Sequence, residues 1–215
     1  MTEKKIKIVV AGPYAAGKTQ FINTISEIET VKTEARTTKP GEKEKKDHTT
    51  VAMDFGRIKI DDEHTLYLFG TPGQSRFDFM WDILGKGMVG LVVLVDSTDP
   101  ATFHEARRII NFFEARYPAP FVVGANKQDL KGAWSPEDIR TALDLGEEIK
   151  VIPLVATDKE NVKRVLLELL EEISKYIWHK GWKSNIESFL HIDFHLFMLA
   201  LFFNLFYFPF DFLTL

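Results

Sequence analysis

No cysteine occurs among the 215 residues. That absence excludes disulfides, thiolate metal centres and cysteine nucleophiles, and it is compatible with a reducing compartment. Neither sign of charge dominates: Lys plus Arg is 27 and Asp plus Glu is 31, a formal net charge of -4. The chain therefore lacks a basic footprint, and no nucleic-acid partner is expected. Met1 to Lys5 hold no apolar run of signal-peptide length, and position 2 is Thr2 rather than glycine, so neither secretion nor N-myristoylation is expected. Histidine shows no zinc-type spacing and no Ser/His/Asp arrangement stands out; His48 and His64 read as loop residues. Apolar residues make up 45% and charged residues 27%, ordinary globular usage, and a chain of this length can bury a full core without cross-links. What is abundant is phenylalanine, 18 residues, half of them beyond Ile177.

The hydrophobic pattern alternates between two periods. Lys5 to Ala11 reads as a strand that becomes fully buried toward its end, and residues 17–28 read as a helix. Lys32 to His48 carries no large apolar side chain, is more than half charged and contains Pro40-Gly41, so it reads as a mobile loop. Val51–Ile60 and Thr65–Phe69 read as two strands of a hairpin turning at Asp61-Asp62-Glu63. Strands at Val89–Val95, Phe121–Ala125 and Val151–Val155 then alternate with helices at Thr102–Arg116, Ser135–Leu143 and Asn161–Tyr176. The last helix sets Val162, Val165, Leu166, Leu169, Leu170 and Ile173 on one stripe. Such alternation predicts an α/β fold: a mostly parallel six-stranded sheet, one antiparallel edge strand, and helices on both faces. A composition break after Ile177 divides the chain into a domain at 1–177 and an appendage at 178–215.

Directly after the first strand stands Gly12-Pro13-Tyr14-Ala15-Ala16-Gly17-Lys18-Thr19, the pattern G-x-x-x-x-G-K-[ST] between a buried strand and a helix. Glycines at 12 and 17 let the backbone curl so that successive N–H groups point inward at phosphate oxygens, and the helix adds its positive end. Lys18 is placed to reach the β- and γ-phosphates, and the Thr19 hydroxyl to ligate Mg²⁺. Tyr14, Ala15, Ala16 and Gln20 complete the candidate loop. This predicts a P-loop protein that binds a nucleoside triphosphate; it does not choose the base.

The base is addressed by Asn126-Lys127-Gln128-Asp129 at the end of a parallel strand, where α/β sheets bind ligands. A carboxylate at Asp129 accepts two hydrogen bonds from guanine N1–H and its amino group, whereas adenine would leave that charge unpaired. The Lys127 stem is expected to cover the ring with its head near the phosphate loop, and Asn126 to tie the two loops together. After the last strand, Val155-Ala156-Thr157 is expected to present the Ala156 N–H to guanine O6. The bland alternatives are a polar β–α loop with Asp129 capping a helix, and a glycine-containing turn at 12–17.

On these residues the chain resembles the Ras-like small GTPases over positions 5 to about 177. The loop G-P-Y-A-A-G-K-T is similar to the Arf type, and T-P-G-Q-S-R-F at 71–77 resembles the Rab-type T-A-G-Q-E-R-F. Gly87-Met88-Val89-Gly90 followed by V-L-V-D-S-T-D at 93–99 is similar to the next family strand. T-V-A-M-D-F at 50–55 with F-G-T-P-G-Q at 69–74 is most similar to prokaryotic GTPases of the gliding-motility and conservon kinds. The resemblance implies a molecular switch that binds GTP or GDP with Mg²⁺ and hydrolyses GTP, with switch segments near 32–50 and 70–85. It implies that Thr50, with Thr49 as runner-up, joins Thr19 as a metal ligand and senses the γ-phosphate. It implies that the Gly73 N–H meets that phosphate and that Gln74, with Lys18, forms the catalytic pair, Gln74 orienting the attacking water. Effector and GTPase-activating proteins are the partners it implies.

Two positions depart from the family. Where an aspartate precedes T-x-G-Q and holds a metal-bound water, this chain has Gly70. Asp54 is a candidate replacement, weighed against the simpler reading of a solvated charge on an edge strand. Tyr14 stands where many relatives carry glycine and crowds the space beside Gln74, which predicts slow, partner-dependent hydrolysis. Gly70 also motivates a second class of function, a GTP-binding scaffold with negligible hydrolysis. A P-loop ATPase or nucleotide kinase is the third.

Beyond Ile177 the family pattern ends. Trp178, Lys180, Trp182 and Lys183 form a membrane-interface mixture, and Leu196 to Phe210 is nearly all apolar. As a helix that run spans about 22 Å, short of a hydrocarbon core of about 30 Å. Asp193, His191 and His195 oppose a longer span. Anchoring at a membrane through 189–215 is weighed first, then packing on a partner, packing on the chain's own domain, and a tail without selected function. The expected place is the cytoplasm, with the membrane periphery as the extension of it.

Overall fold

The computed structural model describes residues 3–29, 33–36, 50–73 and 78–179. Strand β1 (Lys4–Ala11) leads through the loop at 12–17 into helix α1 (Lys18–Ile25). Strands β2 (Thr33–Arg36), β3 (Thr50–Met53), β4 (Phe55–Lys59) and β5 (His64–Gly70) follow, then helix α2 (Phe79–Gly85). Strand β6 (Gly90–Asp96), a single 3-10 turn at Pro100–Thr102 and helix α3 (Phe103–Arg116) come next. Strand β7 (Phe121–Asn126), helix α4 (Pro136–Ala142), strand β8 (Val151–Pro153) and helix α5 (Lys159–His179) complete the domain.

The main sheet has the order β4-β5-β1-β6-β7-β8. All neighbours run parallel except the edge pair β4–β5, as the sequence predicts. Both faces are covered, which is why the central strands read as unbroken apolar runs. Ile8 and Val10 of β1 face one layer with Phe21, Ile22, Val162, Leu166 and Leu169 from α1 and α5. Val9 and Ala11 face the other with Trp81, Phe103, Ile110, Phe113 and Ile139 from α2, α3 and α4. The parallel strands send their C-terminal ends to one edge of the sheet, so the loops after β1, β5, β6, β7 and β8 share that edge.

Three expected elements differ. The charged segment 32–48 is not all loop: Thr33–Arg36 pairs antiparallel with Thr50–Met53 as a separate two-stranded sheet. The run T-E-A-R of β2 has no large apolar side chain, so it leaves no hydrophobic period to read. The expected strand Val51–Ile60 breaks at Asp54, with β3 pairing to β2 and β4 to β5. The strand expected at 151–155 is shorter, Val151–Pro153, although the Leu154 N–H still donates to the Ala125 carbonyl (2.9 Å). Helix boundaries shift as well. The first helix closes at Ile25 with the Ser26 N–H on the Ile22 carbonyl (2.9 Å). The last begins at Lys159 and runs to His179, past the composition break. Among the described residues no helix is long and apolar enough to cross a membrane. The expectations for Thr49, Gln74 and the tail from Lys180 onward fall outside the described residues.

Candidate functional site

The loop between β1 and α1 is built as the motif requires. Gly12 (φ 148) and Gly17 (φ 101) take left-handed backbone angles. A Cβ on Gly12 would run into the Leu94 carbonyl oxygen, and one on Gly17 into the Asn126 amide. Ala15 (φ 61) and Lys127 (φ 67) are two of the three described non-glycine residues at positive φ, one in each candidate ligand loop. Such strain persists where surrounding structure holds it in place. Ala16 is buried and Tyr14 projects into solvent, 68% exposed.

Helix α1 starts without a side-chain cap and has no acidic residue in its first turn. Helix α4 shows the ordinary alternative: Ser135 caps it by accepting from the Asp138 N–H (3.1 Å), with Glu137 and Asp138 in its first turn. The bare N–H groups of α1 leave its positive end available to an anion. Lys18 lies buried beside it, its ammonium donating to the carbonyls of Gly12 (2.7 Å) and Pro13 (2.6 Å). Burial pushes this amine down to about 8, against the opposing pull of Asp54 and Glu105. Gly73 packs directly over the loop: a Cβ there would stand 2.8 Å from Lys18 Nζ and 2.8 Å from Tyr14 Cα. The turn after β5 thus lies against the phosphate loop, where the resemblance places it.

Asn126 is the junction of the site. Buried at the end of β7, it donates from Nδ2 to the Ala16 carbonyl (2.9 Å) and accepts at Oδ1 from the Ala156 N–H (2.9 Å). One amide therefore binds the phosphate loop, the loop after β7 and the loop after β8 together. Thr24 adds a second tie, its hydroxyl donating to the Ala156 carbonyl (2.7 Å) while it accepts from Gln20 (3.0 Å). The Ala156 N–H, expected to face a base oxygen, is thus committed to Asn126, because the amide reaches it first from the neighbouring strand end. Thr157 beside it is exposed, as is Asp129 at the end of the β7 loop. Asp129 caps no helix: α4 is capped by Ser135 and α5 opens with Asp158 accepting from the Asn161 N–H (2.8 Å).

Lys127 is placed differently from its expectation. Its ammonium pairs with Asp96 at the end of β6 rather than reaching the phosphate loop. Asp96 also accepts from the N–H (3.0 Å) and hydroxyl (2.6 Å) of Thr98. Burial pushes the Asp96 carboxyl up, but Lys127 and Thr98 outweigh it and hold it below the ordinary aspartate value. Gln128 bridges to Ser97 (2.8 Å) and the Trp134 carbonyl (2.9 Å). Asp96 and Thr24 take part in the site without having been singled out beforehand. The signal for Asp96 was a carboxylate closing an otherwise apolar strand; Thr24 left none.

The Thr19 hydroxyl donates to Asp54 Oδ2 (2.5 Å). These are hard oxygen donors of the kind Mg²⁺ takes, so the residues present fit that ion. Thr50 opens β3 opposite Arg36. A strained glycine loop, an uncapped helix start, a buried lysine and a strand-end N-K-x-D loop define a P-loop nucleotide-binding protein.

Comparison with known proteins narrows this class. A family model described as "Conserved hypothetical ATP binding protein" matches residues 28–176. An uncharacterized protein of Methanocaldococcus jannaschii is 32% identical over 130 residues, covering 60% of this chain and 75% of that protein. The human ADP-ribosylation factor-like protein 9 is 32% identical over 148 residues, covering 67% of this chain and 71% of that protein. In fold, the Arl6 BBS3 small GTPase from Trypanosoma brucei, solved with the nucleotide analogue GppNp, matches with a TM-score of 0.62 at 19% identity. That match covers 80% of this chain and 99% of the other. The chain belongs to the family that the model describes and, with its ADP-ribosylation-factor-like relatives, to the Ras-like small GTPases.

Proposed function

We propose that this chain is a guanine-nucleotide switch that binds GTP with Mg²⁺, hydrolyses it slowly to GDP and phosphate, and signals through segments near 32–50 and 70–85. The observation that carries this reading is the Asn126 junction. It holds the anion-binding loop at a fixed distance from the strand end that displays Asp129, and so couples phosphate recognition to base recognition. Asp129 is exposed and outside any helix cap, which suits a carboxylate reserved for the two donors of guanine.

Each described residue has a task in the reaction. The loop N–H groups and the start of α1 receive the phosphates, and Lys18 exchanges its two carbonyl partners for phosphate oxygens. Gly73, with no side chain between it and Lys18, brings its N–H to the γ-phosphate. Gln74 orients the water, by the resemblance. Mg²⁺, when bound, neutralises charge developing on the transferred phosphoryl group. The Tyr14 backbone borders Gly73, and its bulky side chain stands where many relatives carry glycine, crowding the space the resemblance gives to Gln74, so turnover by the isolated chain is slow. Single-turnover hydrolysis below about 1 s⁻¹ is expected, with acceleration only by a GTPase-activating partner. No detectable turnover with or without a stimulating partner would favour the scaffold reading instead.

The family description favours a second reading, ATP binding. The two separate on the nucleotide that purifies with the chain. Guanine nucleotide is expected after denaturation and chromatography, and adenine nucleotide alone would reverse the assignment. Effectors and regulators are the proposed partners. The cytoplasm is the proposed place, with the aromatic tail the means of reaching a membrane surface, as liposome sedimentation of the full chain would show.

A further inference from the structure

The family places an aspartate where this chain has Gly70, and the structure shows what occupies the space. A Cβ built on Gly70 would stand 3.0 Å from the Asp54 Cβ and 3.4 Å from Asp54 Oδ2. The Gly70 N–H donates to the Asp54 carbonyl (2.8 Å), one step beyond the Phe55–Phe69 pair of the β4–β5 ladder, so the two residues lie side by side. The carboxylate of Asp54 then reaches the Thr19 hydroxyl at 2.5 Å. A side chain at position 70 and the side chain at 54 compete for one place. Glycine at 70 admits the carboxylate from the neighbouring strand.

Resting on the nucleotide-switch reading above, we propose that Asp54 is the metal-positioning carboxylate of this chain, acting from the β3–β4 break in place of an aspartate at position 70. Its contact fixes the direction of the Thr19 hydroxyl. The hydrogen points at Asp54, which leaves the oxygen lone pairs to face a cation and makes that oxygen the better donor. The second carboxylate oxygen is an acceptor for a water of the ion, which keeps several waters when bound beside phosphates. Its direction follows from the strand period: Gly56 lies against Ile22 and Ser26, and Ile58 packs with α1, so Asp54, two residues before Gly56, is on the same face of the β4 ladder and meets the start of α1.

The test is the release rate of a fluorescent GDP analogue from the full chain over a series of EDTA-buffered free Mg²⁺ concentrations. Wild-type release slows as Mg²⁺ rises. Asp54→Asn keeps the size and a hydrogen-bonding head but loses the charge. It is expected to shift the Mg²⁺ midpoint upward by roughly 10-fold or more while leaving release in excess EDTA unchanged. A carboxylate that only braces the fold would speed release equally at all Mg²⁺ concentrations, and that result, or an unmoved midpoint, overturns the proposal. The exchange Asp54→Gly with Gly70→Asp reads it independently of whether Asp54→Asn folds. It is expected to return the midpoint to near the wild-type value, and a midpoint left high would overturn the proposal. A wild type that retains no guanine nucleotide at any Mg²⁺ concentration would instead defeat the nucleotide-switch reading itself.

Discussion

Asn126 and Lys18 show how much of the site rests on single side chains. Replacing Asn126 by alanine leaves the Ala16 carbonyl and the Ala156 N–H without their partner in a buried setting. Each orphaned group costs about 1–3 kcal/mol, so Asn126→Ala should lower urea stability by about 2–6 kcal/mol and weaken nucleotide binding more than tenfold. Equilibrium unfolding and nucleotide titration check both numbers; a variant with wild-type affinity would contradict the junction role. Lys18 gives a pH signature. Its amine sits at about 8 before phosphate arrives, and an adjacent anion raises it. Binding therefore favours the protonated form: affinity is full below pH 8 and falls as pH climbs above it. Titration calorimetry at pH 8 in two buffers of different ionisation enthalpy should reveal proton uptake, and identical heats would contradict it. Lys127, by contrast, pairs its ammonium with Asp96 at the end of β6. Side-chain destinations of that kind depend on strand register, which a linear motif does not carry.

At the scale of elements, strands β1, β6 and β7 and helices α3 and α5 were legible because burial imposes a period on them. β2 and the break at Asp54 were not, since one has no large apolar side chain and the other is a contact with a residue far away in sequence. The phosphate loop lay between these cases. Its glycine spacing was visible, but the missing cap of α1 appears only when the loop is folded. Gly17→Ala tests that geometry. At φ 101 an alanine is strained, and its Cβ falls on the Asn126 amide. A loss of nucleotide affinity of more than tenfold is expected with α1 retained by circular dichroism. Helix α2 behaves as part of the core rather than as a free arm. Trp81 is 3% exposed against Phe112 and Phe113, with the Arg108 guanidinium 5.1 Å from its ring. Trp81→Ala should cost about 3–5 kcal/mol in urea unfolding. A loss below about 1 kcal/mol would mean that α2 detaches easily.

Among the described residues the molecule is a sheet covered on both faces, with the candidate ligand loops gathered at one edge. Phenylalanine, so abundant in the composition, divides evenly between residues 1–177 and the segment beyond Ile177. Because α5 continues to His179, with Ile177 packed against the core, a cut after His179 is the one that spares the domain. The truncated chain should keep its melting temperature and nucleotide affinity and lose any liposome binding that the full chain shows. Unchanged liposome binding would remove the tail from that role. The central claim is guanine selectivity, and it is tested most directly by competition of GTP and ATP for the full chain in Mg²⁺. A site that pairs Asp129 with guanine predicts GTP at least about 100-fold tighter than ATP, with the preference lost in Asp129→Asn. ATP binding as tightly as GTP, or a preference that survives the substitution, would contradict the account.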